Sequence, residues 1–85
     1  MPELSRFYGI RITMNIGDHP PPHFHAEYGE YEAAVAIRTG RIIAGDLPSR
    51  AVRLVQEWWE LHRAELMENW QRVESEQPLM KIEPL

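Results

Sequence analysis

The chain has no cysteine, no long apolar run and no surplus of basic charge, and each absence removes a class of function. Without cysteine there can be no disulfide, thiolate metal site or cysteine nucleophile, and a reducing cytoplasm is the default compartment. A membrane-crossing helix needs about 20 consecutive apolar residues, and no stretch here approaches that. The opening MPELSRFYGIR has neither a continuous apolar segment nor a small-residue cleavage pattern, so no signal peptide is expected. Net charge is −4 at neutral pH. Six of the nine basic residues, between Arg6 and Arg53, are interleaved with acids and never cluster in threes. A nucleic-acid binder normally shows a basic footprint, so tight non-specific binding to nucleic acid is disfavoured. At 85 residues the chain is expected to form one domain with a single modest core.

What the chain does contain is imidazole. Residues 18–25 read DHPPPHFH, with three of the four histidines and an aspartate packed around three consecutive prolines. The flanking pattern places them. From Tyr8 the chain alternates, with Tyr8, Ile10, Ile12, Met14 and Ile16 on one face and Gly9, Arg11, Thr13 and Asn15 on the other, the period of a half-buried strand. Gly17-Asp18 breaks it, and the prolines keep 19–22 extended. HFHAEY (23–28) and YEAAVAIR (31–38) flank Gly29-Glu30, a two-residue loop with glycine first, which signals a type II′ hairpin. That loop length sets Tyr28 against Tyr31, Ala26 against Ala33 and Phe24 against Val35 on the apolar side. On the other side Glu27 meets Glu32, His25 meets Ala34 and His23 meets Ala36. A second tight turn at Thr39-Gly40 would pair Ile37 with Ile42 and Arg38 with Arg41.

After Asp46 the period changes to that of a helix. Val52, Val55, Trp59, His62, Leu66, Trp70 and Val73 recur at steps of three and four, a stripe widened by Leu54, Trp58 and Leu61. No glycine or proline interrupts 49–76, and a continuous helix of that length would span about 40 Å. A domain of this size has a radius of gyration of only about 12 Å, so a break near His62–Ala64 is expected. Trp59 and Trp70, eleven residues apart, both face the sheet in this reading. Trp58 points about 100° away and is the candidate anchor for a partner. The tail PLMKIEPL should be extended, with Leu79, Ile82 and Leu85 available to dock.

Residues two apart on a strand point the same way, so His23, His25 and Glu27 share a face, opposite the small Ala34 and Ala36. Glu27 across from Glu32 is an unfavourable pair that a bound cation would relieve. Imidazole and carboxylate suit zinc, nickel or iron, and the metal set read from the strands is His23, His25, Glu27 and Glu32. The same histidines could instead run acid–base chemistry, or form a recognition surface. His62 falls in the apolar helical stripe and is left out of the site.

SRFYGIRI, DHPPPHFHAEYGEYEA, LPSRAVRLVQEWWELHRAELMENW and PLMKIEPL together resemble the small prokaryotic family known as domain of unknown function 4160. The one departure is three prolines where two adjacent prolines after a less restricted residue are expected. The resemblance makes Asp18, His19, His23, His25 and Tyr28 signature positions without assigned chemistry. It also implies a cytoplasmic setting, a neighbouring gene for a domain-of-unknown-function-2442 protein, and a toxin–antitoxin-like pairing of the two.

These readings give an α+β fold: an antiparallel sheet of about four strands within 4–45, a helical segment over 47–75 formed as one broken or two consecutive helices, and an extended tail over 77–85. The leading functional expectation is a protein-interaction module, binding through Asp18, His19, His23, His25, Tyr28 and Trp58 to a partner encoded nearby or to a second copy of itself. The alternative is a small metal-assisted or histidine-based hydrolase or ribonuclease centred on His23 and His25.

Overall fold

The computed structural model describes residues 2–85. The fold is α+β, a five-stranded antiparallel sheet in sequence order followed by two helices. The strands are β1 (Glu3–Phe7), β2 (Ile10–Thr13), β3 (His23–Tyr28), β4 (Tyr31–Ala36) and β5 (Ile42–Asp46), and the helices are α1 (Ser49–Leu61) and α2 (Arg63–Glu74). No helix among the described residues is long and apolar enough to cross a membrane.

The strand expected from Tyr8 onward is the second arm of a hairpin, which supplies the extra strand. Tyr8 and Gly9 have φ of 48° and 80°, the paired positive values that a type I′ turn requires. Tyrosine is an uncommon occupant of the first position, so composition hides this turn. Ile10, Ile12 and Met14 keep the expected alternation and are fully buried, whereas Tyr8 and Ile16 lie outside the strand and are exposed.

Across β3 and β4 the register is the one the Gly29-Glu30 loop dictates, from His23↔Ala36 and His25↔Ala34 to Glu27↔Glu32 and Tyr28↔Tyr31. The β4–β5 register differs from expectation. Ile42 pairs with Val35 rather than Ile37, and Ile37–Gly40 form a wider turn closed by Gly40 N–H to the Ile37-preceding carbonyl of Ala36. The cause is that Ile37 is committed elsewhere. Its N–H donates to the Pro22 carbonyl at 3.0 Å and its carbonyl accepts the Trp59 indole N–H at 2.6 Å. The Trp59 ring lies so close to Gly40 that a Cβ there would come within 2.6 Å of it.

The helical stripe breaks at His62, where φ −124° and ψ 26° end α1 and start α2. The folded chain is therefore only 33 Å in its longest dimension. Which tryptophan enters the core is the reverse of the periodicity reading. Ala51, Val55 and Trp58 form the buried face of α1, and Trp58 is 0% exposed. Ala51, Val55 and Trp58 recur at steps of four and three, so the buried stripe runs through Trp58 and leaves Trp59 over the β4–β5 turn, its indole N–H on the Ile37 carbonyl. Trp58 packs against Phe7, Phe24 and His62 in tilted and edge-to-face arrangements with ring centroids 5.4–5.8 Å apart, and its N–H donates to the Glu83 carbonyl at 2.8 Å. It cannot anchor a partner from there.

The tail is equally committed. Asn69, 2% exposed, donates to the Met80 carbonyl at 2.9 Å and accepts the Met80 N–H at 2.8 Å. Ile82 N–H donates to the Leu4 carbonyl at 2.8 Å, covering the outer side of β1, and the Ile82 side chain joins the core. Leu79, Ile82 and Leu85 dock on this chain itself.

Two substitutions separate the packing of Trp58 from its hydrogen bond. Trp58→Ala should cost about 3–5 kcal/mol, as large-to-small core changes do. Trp58→Phe should leave a folded chain destabilised by less, with part of the loss, about 1 kcal/mol, from the unmade bond to Glu83. Urea denaturation reads both, and a Trp58→Ala chain as stable as the parent would contradict this core.

Candidate metal centre

The open face of the sheet is a grid set by the register. One cross-strand row runs Thr13, His25, Ala34, Ala44, and the next runs Arg11, Glu27, Glu32, Asp46. The segment 14–22 leaves β2, turns at Gly17-Asp18 and returns through the prolines to the start of β3. The turn is closed by Asp18 N–H to the Asn15 carbonyl and by Asn15 N–H to Asp18 Oδ2, both at 3.3 Å. This fold-back brings Asp18 over the beginning of β3, where His23 and His25 point up from the same face.

His23 Nε2, His25 Nε2 and the Asp18 carboxylate converge, with one ligand atom from each lying within 4.8 Å of the others. Asp18 Oδ2 is 3.2 Å from His25 Nε2 and 3.6 Å from His23 Nε2. All three side chains are partly buried, and the two imidazoles meet edge to face at 5.0 Å.

The backbone fixes the tautomer of His23. Its Nδ1 lies 2.8 Å from the Pro21 carbonyl oxygen. A carbonyl only accepts, so Nδ1 carries the proton, and in the neutral ring Nε2 is bare. That bare nitrogen faces a carboxylate oxygen, acceptor against acceptor. A cation that all three atoms share removes the conflict. The cation uses both Nε2 atoms in one role, so the two rings do not compete for a single oxygen. A metal-bound histidine characteristically donates its other ring N–H to a carbonyl or carboxylate, and the His23–Pro21 bond has that form. The His23 ring is also held from the side by Trp70, with centroids 5.3 Å apart. Beside His25 a shallow depression runs over Ala33, Ala34, Ala44 and Gly45 to Glu32. Small side chains leave that flank of the cluster open.

The residues expected in a metal set divide. His23 and His25 come together as the strand pattern requires. Glu27 and Glu32 face each other but stand one row away, about 7 Å along the strand from His25. Their repulsion is relieved without a metal, because Arg11 donates to Glu27 at 3.2 Å and to Glu3 at 3.0 Å. Asp18 takes the carboxylate position instead. Strand periodicity cannot see this, since the contact is made by the fold-back of a loop. His19 is exposed outside the cluster. Tyr28 lies at the far end of β3 with its ring against Gly9, and His62 bonds Glu65 at 2.7 Å away from the cluster.

Two more polar groups lie beside the cluster without partners. Thr13, directly across from His25, is 0% exposed, and its Oγ1 has no hydrogen bond. Asn15, bonded through its N–H to Asp18, has a buried Oδ1 that is likewise unpaired.

Fold and face together define a class: an α+β domain carrying a two-histidine, one-carboxylate cluster at the mouth of its second hairpin. A family model described as Domain of unknown function (DUF4160) matches residues 9–71. The chain belongs to that family. Nothing among the curated proteins or the solved structures matches it.

The ion pairs beside the cluster give this face a pH dependence. The Glu3 carboxyl is held below its usual range, first by its hydrogen bond to Arg6 and then by Arg11. A depressed carboxyl stabilises the fold above its unfolded-state pKa, and the contribution is lost as pH falls through the lower folded-state value. Glu3→Gln should therefore melt below the parent at neutral pH, and the gap should close on acidification through the carboxylate range. Melting curves from pH 7 to pH 3 check this, and a gap that persists at the acid end would count against it.

Proposed function

We propose that the chain is a small cytoplasmic protein that binds a divalent transition metal at Asp18, His23 and His25 and uses it in metal-assisted hydrolysis. The observation that carries this reading is the convergence of two Nε2 atoms and one carboxylate oxygen, with the His23 tautomer set by Pro21. Two imidazoles and a carboxylate form a ligand set of catalytic zinc, with water in the fourth position, and also suit iron. Zinc lowers the pKa of such a water towards about 7, making a nucleophile at neutral pH. The small-residue depression next to His25 supplies room for a substrate. Net charge of −4 favours a neutral or cationic ester or amide over RNA.

A second reading, half of a two-gene toxin–antitoxin-like pair, draws support from the sheet edge. β5 is the last strand of the sheet, and Ile43 on it is 48% exposed. An unpaired edge with an exposed apolar residue is a template for strand addition. A partner of the domain-of-unknown-function-2442 type docking there would leave the metal cluster reachable. Co-expression of the two proteins with Ile43→Lys tests this form: the parent should co-purify and the variant should not.

The metal reading makes its own demand. A ligand bound only by the folded state at a hundred times its dissociation constant stabilises it by about 2.7 kcal/mol. Zinc or cobalt should raise the melting temperature accordingly and a chelator should reverse it. Asp18→Asn and His25→Ala should abolish the shift along with hydrolysis of a chromogenic ester. Unchanged melting of the parent at millimolar zinc and cobalt would remove the reading.

A further inference from the structure

A groove of about 540 Å³ lies between the proline run and α2, within the size range of small-ligand sites. One wall is the run Pro20–Pro22, and the other is Met67, Trp70, Gln71 and Glu74, which lie at helical spacing and share one face of α2. Arg38, on the turn after β4, completes the lining. The walls are thus chiefly apolar with three polar side chains set among them, the composition that ligand sites show. Arg38 and Glu74 are its two charged residues. Among the described residues, arginine–carboxylate pairs join Arg6 and Arg11 to Glu3, Arg11 to Glu27 and Arg63 to Glu60. Neither Arg38 nor Glu74 is in one. The cavity of similar size beside β1 and the tail is lined mainly by charged side chains and holds no aromatic.

We infer that this groove binds a short apolar peptide by its two free ends. The α2 face from Met67 to Glu74 runs about 10 Å, the reach of about three residues of extended chain. A peptide of that length brings one carboxylate and one ammonium, the complement of one guanidinium and one carboxylate in a single groove. Arg38 presents a planar fork matched to the carboxylate, and Glu74 accepts from the ammonium. Gln71, one turn before Glu74, has both a donor and an acceptor for the peptide's amides. Trp70, only 2% exposed, is floor rather than ridge, and the apolar side chains meet Met67 and the prolines. An apolar monocarboxylate would satisfy Arg38 alone and leave Glu74 unanswered. The groove stands apart from the metal reading, because none of the three candidate ligands lines it. Two of its residues nevertheless hold the His23 ring: the Pro21 carbonyl accepts from Nδ1, and Trp70 packs beside it with centroids 5.3 Å apart. A peptide seated on them is therefore reported at His23.

Three peptides separate the two ends: Leu-Ala-Leu, its N-acetyl form and its C-terminal amide. On metal-free protein, calorimetry should show Leu-Ala-Leu binding about fivefold more tightly than either blocked form, the loss of one partly exposed charge-assisted contact. Arg38→Gln should weaken Leu-Ala-Leu by about fivefold and leave the affinity for the amide unchanged. Glu74→Gln should do the same to Leu-Ala-Leu and leave the N-acetyl form unchanged, so that each charge is matched to one end of the peptide. Both positions are exposed, and melting curves should show both variants folded as the parent is. In NMR spectra of the parent, the His23 ring and Trp70 indole resonances should move as Leu-Ala-Leu is added. A blocked form that binds as tightly as the free peptide would overturn the inference, as would a variant that weakens all three peptides equally. Absence of binding at millimolar Leu-Ala-Leu would overturn it too, and so would binding that leaves His23 and Trp70 unmoved. None of these outcomes bears on the three-ligand centre, which stands or falls on the melting response to zinc and cobalt.

Discussion

The burial of a single indole organises this small domain. Trp58 touches β1 through Phe7, β3 through Phe24 and the helix junction through His62, and it bonds the tail through the Glu83 carbonyl. With only 85 residues there is one core and little redundancy in it. The indole supplies a large apolar surface, and its N–H obliges the tail to bring a carbonyl to a fixed point. Asn69 makes a matching demand from α2, because its buried amide is satisfied only when the Met80 backbone lies alongside. The tail is thus as much a part of the fold as the strands, and its backbone covers the β1 edge that would otherwise be open to another chain.

That packing leaves the opposite face of the sheet free to be polar. The fold-back at Gly17-Asp18 and the rigid run of prolines place a carboxylate above two histidines that the strand already aligns. The prolines have little freedom to lose on ordering, so the loop can be held by few contacts: a backbone bond from Ile37 to Pro22, an imidazole bond to Pro21, and a turn closed by Asn15 and Asp18. The contacts that hold this loop also orient the histidines.

Much of this was legible in the residues, and the failures share a cause. The two-residue Gly29-Glu30 loop fixed β3–β4 register, and with it the face shared by His23, His25 and Glu27. Helix length against domain size located the break at His62. The Tyr8-Gly9 turn escaped because a tyrosine held at positive φ gives no compositional signal. Periodicity does not separate Trp58 from Trp59, because adjacent apolar residues straddle the stripe equally, and contacts between elements decide, with Trp58 against Phe7 and Phe24 and the Trp59 N–H on the Ile37 carbonyl. Strand periodicity selects Glu27 and misses Asp18 for the same type of reason. Periodicity reports faces within an element and is silent on contacts between elements, which is where Arg11 takes Glu27 and the loop delivers Asp18.

The site and the tail meet on one turn of α2. Trp70 buttresses the His23 ring, and its chain neighbour Asn69 clamps Met80. A displacement of α2 that released the tail would also withdraw the side support of a histidine whose Nδ1 is held by a proline carbonyl. The polar face meanwhile carries unfavourable features that the core does not require: a bare imidazole nitrogen facing a carboxylate, and two buried oxygens without donors. A conservative change such as Thr13→Val would remove one of them with a gain in stability. Ser5 Oγ and Arg72 Nε are also buried without partners, away from the cluster, so it is the facing of imidazole and carboxylate, and not unpaired polarity in general, that sets this place apart as one suited to an ion.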